Sequence, residues 1–223
     1  NSSFLSKIVN QGLCVSCGLC VGIDISKSSS MSLIDGLLIP SFTPDSSFNV
    51  DPYDFCPGNG YDFIGLSRFT HGDVSFDSRL GFIRKSFIGF SCDDSIRINS
   101  SSGGVISTVL SYLLTENYVD EVIFPVHDQN NFSITFPLFT DSPDDIFSNA
   151  QSIYSPVAIC EAFKYFEVGK RYAITATPES AAAIRYLQSI SHPLSTQILF
   201  IIGPYTGTSL RSTALHGLAA MHG

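Results

Sequence analysis

The stretch "RYAITATPESAAAIRYLQSISHPLSTQILFIIG", residues 171–203, contains the pattern that decides the fold class. An apolar strand pattern at 171–177 is followed by Pro178, which opens a helical pattern, and a second apolar strand pattern covers 197–203. Strand, helix and strand in this order form a βαβ unit, which predicts a parallel strand pair joined by a right-handed crossover. Ligands of such sheets bind at the carboxyl ends of the strands, so we expect "TATPES" and "GPYTG" at the mouth of any crevice.

The neighbouring sequence predicts the rest of an α/β unit. Apolar residues at helical spacing in "VISTVLSYLL" indicate a largely buried helix, which follows the good N-cap types Ser100 to Ser102. Two strand patterns separated by "HDQNN" indicate a hairpin, and the proline in each places at least one strand at a sheet edge. The fold class is therefore α/β, a mixed sheet with flanking helices. The further predicted elements are strands at 121–126 and 132–139, helices at 143–150, 156–167 and 178–190, and a closing helix from Ser209.

Four cysteines suggest a metal centre. "GLCVSCGLC", residues 12–20, spaces three thiols two residues apart, and Gly18 allows the backbone to bend so that they converge. The best fourth ligand is Cys56, because "FCPGNG" contains the Cys-Pro step that closes many ferredoxin-type ligand sets. Cys56 lies far along the chain from Cys20, so the segment between them must fold back to bring Cys56 to the other three cysteines.

Three kinds of site are compatible with this pattern. Three equally spaced thiolates favour a four-iron (4Fe-4S) cluster held by Cys14, Cys17, Cys20 and Cys56. Structural zinc would use Cys14, Cys17 and Cys56 with Cys20, Cys92 or a histidine, and disulfides are the remaining alternative. Cys160, predicted on a helix, is expected to be a buried structural thiol.

Composition limits the function classes. The 223 residues carry a formal net charge of -8, so most of the surface would repel a phosphate backbone and we expect no nucleic-acid partner. No apolar run reaches the roughly 18–20 residues of a membrane span, and the first residues do not have a secretory pattern. We expect a cytoplasmic protein without a membrane span.

The sequence contains two regions that differ in turn-forming residues and in hydrophobic periodicity. Residues 1–90 hold most of the turn formers and little periodicity, which predicts an irregular cysteine-rich iron-sulfur region. Residues 91–223 are predicted to form the α/β domain. The missing initiator methionine and the abrupt finish in "GLAAMHG" lead us to expect a fragment that is truncated at the C-terminus.

The order of these features resembles the coenzyme F420 hydrogenase/dehydrogenase beta subunit family. The resemblance rests on the Cys-x2-Cys-Gly-x-Cys start, the later Cys-Pro-Gly, and, in order, "IRINSSSGGVISTVLSYLL", "VDEVI", "SIYSPV" and "KRYAITATPESAAAIRYL". It implies an iron-sulfur flavoprotein oxidoreductase that passes electrons between a 4Fe-4S cluster, FAD and a deazaflavin (F420-like) or other small-molecule acceptor. A redox partner subunit or small electron carrier is implied as well. A plant chlorophyll-derivative reductase belongs to the same family, so membership does not fix the substrate.

The resemblance also implies which residues lie near the flavin. It places the Ser100 to Gly104 loop beside the flavin nucleotide, where free N–H groups and the positive end of a helix suit a pyrophosphate. From the residues alone, an ordinary N-cap with a tight turn is the favoured explanation of the loop, and only the family resemblance reverses this preference. The implied cofactor-binding residues are Arg97 as a phosphate fork, Ser101, Ser102, Gly103, Gly104, Tyr154 as a ring-stacking candidate, Thr177 and Pro178. No side chain is assigned as a catalytic acid or base.

The sequence departs from the family pattern in three ways. Many relatives have Thr-Pro-Cys where this chain has Thr177, Pro178 and Glu179, so a second cluster or thiol chemistry at that place is in doubt. The first cysteine run has no nearby fourth cysteine, and relatives continue well past residue 223. Two other functions therefore stay open: a catalytically inactive relative in polysaccharide biosynthesis, and a zinc-stabilised interaction module.

Overall fold

The computed structural model describes residues 2–72, 76–79 and 81–222, which form an α/β fold. Its α-helices are α1 (Ser2–Asn10), α2 (Leu19–Gly22), α3 (Pro52–Phe55), α4 (Phe63–His71), α5 (Asp94–Asn99), α6 (Val105–Thr115), α7 (Pro143–Ser148), α8 (Pro178–Ser189), α9 (Pro193–Thr196) and α10 (Ser212–His222). Its strands are β1 (Ser30–Ile34), β2 (Leu37–Ser41), β3 (Phe76–Asp77), β4 (Gly81–Phe82), β5 (Glu121–His127), β6 (Thr135–Thr140), β7 (Tyr172–Thr175) and β8 (Ile198–Ile202). Short 3-10 helices cover Pro57–Asn59 and Ile159–Tyr165.

The main sheet is mixed, as the sequence predicts. Its strand order is β6-β5-β7-β8, with β5, β7 and β8 parallel and β6 antiparallel to β5. The proline-containing strand β6 lies at the edge, and Pro125 of β5 lies beyond Ile123, where pairing with β7 ends. Neither proline therefore removes a hydrogen bond from the centre of the sheet.

Each face of the sheet packs its own hydrophobic cluster. On one face, Leu110 and Leu113 of α6 and Ile146 of α7 pack with Val122 and Ala173. The opposite cluster is larger and joins the two regions that the sequence distinguishes, because Cys17, Leu19 and Phe55 pack with residues of the Ile159–Tyr165 helix, β7 and α8. The division at residue 90 stays a prediction.

The carboxyl edge of the sheet is defined here by His127, Thr175 and Ile202, the last residues of the parallel strands β5, β7 and β8. The chain makes a tight turn between α6 and β5, where the N–H groups of Tyr118 and Val119 both donate to the Leu113 carbonyl. The helix is therefore antiparallel to β5, and its N-terminus lies at the carboxyl edge. Crevices of α/β sheets are usually found there.

One predicted helix is wrong in type and bounds. Instead of an α-helix over 156–167, extended backbone leads into the Ile159–Tyr165 3-10 helix. The reason is a tertiary contact, because the Cys160 N–H donates to the Cys17 carbonyl at 2.9 Å rather than to its own helix. The expected N-cap is also corrected: Gly104, not one of Ser100 to Ser102, precedes α6.

The remaining predicted elements of the α/β part are confirmed within two or three residues. The sequence analysis overlooked α1, α5 and the β1–β2 hairpin. Asp93 caps α5 by accepting from the N–H groups of Ser95 and Ile96, and Asp35-Gly36 forms the hairpin turn with φ of 50° and 77°. Among the described residues, no helix is both long enough and apolar enough to cross a membrane.

A buried carboxylate ties the cysteine-rich part together. Asp24, only 3% exposed, accepts from the Ser29 hydroxyl at 2.6 Å and N–H at 3.0 Å, the Ser47 N–H at 2.9 Å and the Ser26 hydroxyl at 2.9 Å. Burial on its own would raise the pKa of Asp24, but these hydrogen bonds outweigh burial and lower the pKa below its usual range. Lys164 donates to the Ser29 carbonyl at 2.8 Å, which connects this network to the Ile159–Tyr165 helix.

Asp24→Asn should lower the free energy of unfolding by about 3 kcal/mol at pH 6, because an amide nitrogen would face N–H and O–H donors. Because the native pKa of Asp24 lies below the unfolded value of about 3.9, the ionised carboxylate stabilises the fold above about pH 3.9. This stabilisation is lost as the pH falls through the native pKa. The gap between wild type and Asp24→Asn should therefore narrow below about pH 4. Urea unfolding at several pH values measures this, with exposed Asp45→Asn as the control; equal stability of all three proteins at pH 6 would contradict the assignment.

Candidate metal centre and cofactor crevice

The first cysteine loop is held by close backbone packing. Gly18 has φ of 79°, and a Cβ atom there would meet the Ala158 Cβ and the Glu161 nitrogen at 2.9 Å each. A Cβ on Gly22 would collide with the Cys160 carbonyl oxygen. These two glycines let α2 lie directly on the backbone of the Ile159–Tyr165 helix, which fixes the direction of the Cys14 to Cys20 loop.

The chain returns to this loop at Cys56. Asp51 caps α3 by accepting from the Tyr53 N–H at 3.0 Å, and the short helix ends at Cys56, followed by the Pro57–Asn59 3-10 helix. A Cβ on Gly58 would lie 2.6 Å from the Leu13 carbonyl oxygen and 2.7 Å from the Ile8 Cγ2. Gly58 therefore allows the second cysteine segment to approach the first.

All four predicted ligand cysteines line one cavity. Its empty space, including the part open to solvent, is about 400 Å³. Most other lining side chains are apolar, so the sulfur atoms lie in a site that excludes much of the water. The lining includes Cys14, Cys17, Cys20, Cys56, Leu5, Ile8, Leu19, Met31 and Phe55.

The four thiols influence one another electrostatically. Burial raises the pKa of the Cys17 thiol to about 12; the Leu19 N–H opposes this, whereas negative charge on Cys56 and Cys14 adds to it. Burial, followed by the charges of the other three cysteines, raises the pKa of Cys20 well above its usual value. Burial also raises the pKa of Cys14 and Cys56. These thiols would bind as thiolates only with a cation that offsets both penalties.

The thiols are not grouped as a single metal ion would require. Across residues 2–72, 76–79 and 81–222, no three ligand-type side chains are grouped closely enough to hold one metal ion. Tetrahedral zinc, with Zn–S bonds of about 2.3 Å, would require sulfur atoms about 3.8 Å apart. A 4Fe-4S cluster binds each thiolate through a different iron, so it accepts more widely spaced ligands.

The other two cysteines lie outside this set. Cys160 is fully buried, as predicted, and burial followed by negative charge on Cys17 raises its pKa. Cys92 is exposed, on the segment before α5.

A second candidate site lies at the carboxyl edge. The N-terminus of α6 has no side-chain cap, and Gly104 before it has φ of 73°. The first backbone bond within the helix is from the Thr108 N–H to the Gly104 carbonyl, so the preceding N–H groups have no helical acceptor. This is the arrangement that binds pyrophosphates at helix N-termini.

The structure groups the predicted flavin residues around that helix end. Ser101 and Ser102 are exposed in the loop before α6, and the Ser101 hydroxyl accepts from the Ser152 N–H at 2.8 Å. This bond brings the 152–156 segment to the α6 N-terminus. Tyr154, two residues further, is 55% exposed rather than buried.

The remaining predicted residues lie on either side of this group. Arg97 is in the last turn of α5, with its guanidinium carbon 4.0 Å from the centre of the Phe90 ring. Thr177 and Pro178 begin α8 directly after β7, at the carboxyl edge. Gly103 packs against the Gly89 carbonyl, where a Cβ would lie at 3.3 Å.

The sequence analysis singled out neither Ser155 nor Thr175 at the carboxyl edge, although Thr175 belongs to the "TATPES" stretch that was expected at the crevice. Nothing in the sequence distinguishes Ser155 from the other serines of this Ser-rich chain.

Comparisons with known proteins agree with this architecture. Residues 86–164 match the family model described as coenzyme F420 hydrogenase/dehydrogenase, beta subunit N-term. A solved structure of the F420-reducing nickel-iron hydrogenase complex from Methanosarcina barkeri contains a chain with the same fold, at a TM-score of 0.53 and 18% sequence identity. The match covers 63% of this chain and 53% of that chain, so this chain spans about half the length of that relative. No curated protein sequence matches.

Over residues 86–164, the resemblance to the coenzyme F420 hydrogenase/dehydrogenase beta subunit family that was drawn from the sequence is confirmed. The solved structure supports the same fold.

Gly58→Ala should lower the free energy of unfolding of the metal-free, reduced protein by about 2 kcal/mol, because the new methyl group meets backbone at Leu13. Gly89→Ala is the matched control, since a Cβ there meets nothing within 4 Å. The control should stay within about 1 kcal/mol of wild type. Anaerobic denaturant unfolding measures both, and equal effects of the two substitutions would argue against the close approach of the cysteine segments.

Proposed function

We propose that this chain is an iron-sulfur flavoprotein oxidoreductase, in which a 4Fe-4S cluster and FAD relay electrons to a deazaflavin or another small-molecule acceptor. The observation that carries the proposal is the meeting of four thiols from two distant segments in one apolar cavity. The family relationship supports the same cofactors.

The residues of the metal centre fit a four-iron cluster. Cys14, Cys17, Cys20 and Cys56 supply the four thiolates that such clusters take. The apolar lining limits access of water and oxygen, and backbone N–H groups beside Cys17 and Cys56 already donate toward the sulfur atoms. Hydrogen bonds of this kind tune the reduction potential of a bound cluster.

Zinc fits these residues less well. A structural zinc site would need at least three ligands grouped around one ion, which the described residues do not show, and it would explain neither the uncapped helix end nor the matched family segment. Disulfides would not explain why all four thiols line one cavity. The cluster accounts for the cavity, the spacing and the family relationship together.

The carboxyl edge fits a flavin nucleotide. The uncapped α6 N-terminus offers N–H groups and a positive dipole end to the pyrophosphate, and Arg97 has no ion-pair partner among the described residues. The exposed Tyr154 ring is available for stacking on the flavin ring system, and Thr177 and Pro178 form the neighbouring wall.

Each side chain in this scheme binds or orients one of the two cofactors. When bound, the cluster supplies one-electron exchange and the flavin supplies two-electron hydride chemistry. The cysteines fix the first group, the α6 N-terminus and Arg97 orient the second, and the sheet between the two hydrophobic clusters keeps the sites in fixed relation. No side chain needs to act as an acid or base.

We place the redox partner at the cysteine-rich side. Leu13, Val15 and Tyr53 are exposed apolar side chains on the segments that carry the ligands. A partner subunit or small electron carrier that docks on them would reach the cluster by the shortest route.

Replacing any one of Cys14, Cys17, Cys20 or Cys56 by alanine should reduce anaerobically reconstituted protein from about four irons and four sulfides per chain to less than one. Cys92→Ala is the control, because this thiol is exposed and outside the cavity, and it should retain the full content. Iron, sulfide and zinc assays on each purified variant measure the effect. One zinc per wild-type chain with no iron would contradict the cluster and favour the interaction module.

Arg97→Ala should weaken FAD binding about tenfold, because a charge-assisted contact to the phosphates is lost. Arg68→Ala, an exposed substitution on α4, is the matched control and should leave the affinity unchanged. Quenching of FAD fluorescence gives both dissociation constants. Identical affinities would remove Arg97 from the site, whereas bound iron and FAD without electron transfer to any acceptor would favour a catalytically inactive relative.

A further inference from the structure

Buried polar atoms without a partner are concentrated at the carboxyl edge. Among the described residues, the buried side-chain atoms that lack a hydrogen-bond partner are His127 Nδ1, Ser155 Oγ, Thr175 Oγ1 and His192 Nδ1. His127 and Thr175 end the parallel strands β5 and β7, and Ser155 belongs to the segment that Ser101 holds at the same edge. His192 lies apart, between α8 and α9.

Thr175 faces the α6 side of the sheet. Side chains alternate along β7, so Thr175 shares the face of Ala173, which packs in the cluster with α6. Thr175 is opposite Ile202 in register, and Ile202 and Ile106 of the first α6 turn both pack on that cluster. The Thr175 side chain, 8% exposed, is thus directed toward the helix end that carries the free N–H groups.

Ser155 reaches the same edge from the 152–156 segment. The Thr135 hydroxyl donates to the Pro156 carbonyl at 2.6 Å, and Thr135 is the register partner of His127. Ser155, 4% exposed, therefore lies between the Ser101 contact and the end of β5.

Other buried hydroxyls of this protein do have partners. Thr140 donates to Asp145 at 2.6 Å, Thr135 to the Pro156 carbonyl, and Ser195 to the His192 carbonyl at 2.8 Å. A buried hydroxyl without a hydrogen-bond partner destabilises the fold. Several such hydroxyls at one place therefore indicate a ligand that supplies the missing hydrogen bonds.

We propose that the Ser155 and Thr175 hydroxyls hydrogen-bond the pyrimidine edge of the flavin ring and position the ring at the carboxyl edge. This inference rests on the proposed function. The pyrimidine edge alternates carbonyl oxygens with an N–H group, and a hydroxyl can donate to the first and accept from the second. The α6 N-terminus at the same edge would bind the pyrophosphate of FAD. The buried Ser155 and Thr175 hydroxyls would then bind the flavin ring. Ser155 and Thr175 are positioning residues, because electron transfer occurs on the ring itself.

The test compares Thr175→Val and Ser155→Ala with Thr140→Val in the full chain, with FAD as the probe. Each of the first two should raise the FAD dissociation constant about five- to tenfold, since one hydrogen bond to the ring is lost. Each should also lower the midpoint potential of bound FAD, because a donor to the ring carbonyls stabilises the reduced, more negative ring. Neither should lower the melting temperature of the flavin-free protein, because no internal bond is broken.

Thr140→Val separates this role from a structural one. Its hydroxyl is bonded to Asp145 at the amino end of β5, so the substitution should lower the melting temperature and leave FAD affinity and potential unchanged. Unchanged FAD affinity in both Thr175→Val and Ser155→Ala would show that these hydroxyls bind only water and would overturn the inference while the proposed function stands. Weaker binding without a change in potential would also overturn the ring-edge assignment. Wild-type protein that binds no FAD would overturn both the flavin part of the proposed function and this inference.

Discussion

The backbone contact between α2 and the Ile159–Tyr165 3-10 helix joins the cysteine loop to the main sheet. Gly18 and Gly22 remove the side chains that would separate the two segments, and the Cys160 N–H donates to the Cys17 carbonyl across the contact. The contact converts the expected α-helix into a 3-10 helix. It also makes the cysteine loop part of the large hydrophobic cluster, so the candidate metal centre is built on the α/β core.

Two further restraints complete the metal centre. The Asp24 network ties the chain after α2 to Ser47 and, through Ser29, to Lys164, whereas Gly58 lets the Cys56 segment touch Leu13. The same sheet presents its carboxyl edge to the uncapped end of α6. The same packed fold therefore carries both candidate sites.

Much of this could be predicted from local sequence. The βαβ pattern of 171–203 and the hairpin of β5 and β6 follow from periodicity and proline positions, and the structure agrees with both. The four cysteines were proposed from their spacing, and they line one cavity. The 3-10 helix could not be predicted, because a contact with residues far along the chain overrides its local pattern. Asp24 was missed because its role depends on serines brought together only by folding. Ser155 and Thr175 became visible only once the surrounding hydrogen bonds were known.

We propose that four thiolates from two distant segments enclose one four-iron cluster. The Mössbauer spectrum of anaerobic protein, reconstituted with isotopically enriched iron and sulfide, tests it most directly, because it reports both the ligands and the nuclearity of the iron. The spectrum should be dominated by a 4Fe-4S cluster whose irons all have sulfur ligands. A spectrum of mononuclear iron, or a chain that takes up no iron and retains one zinc, would contradict it.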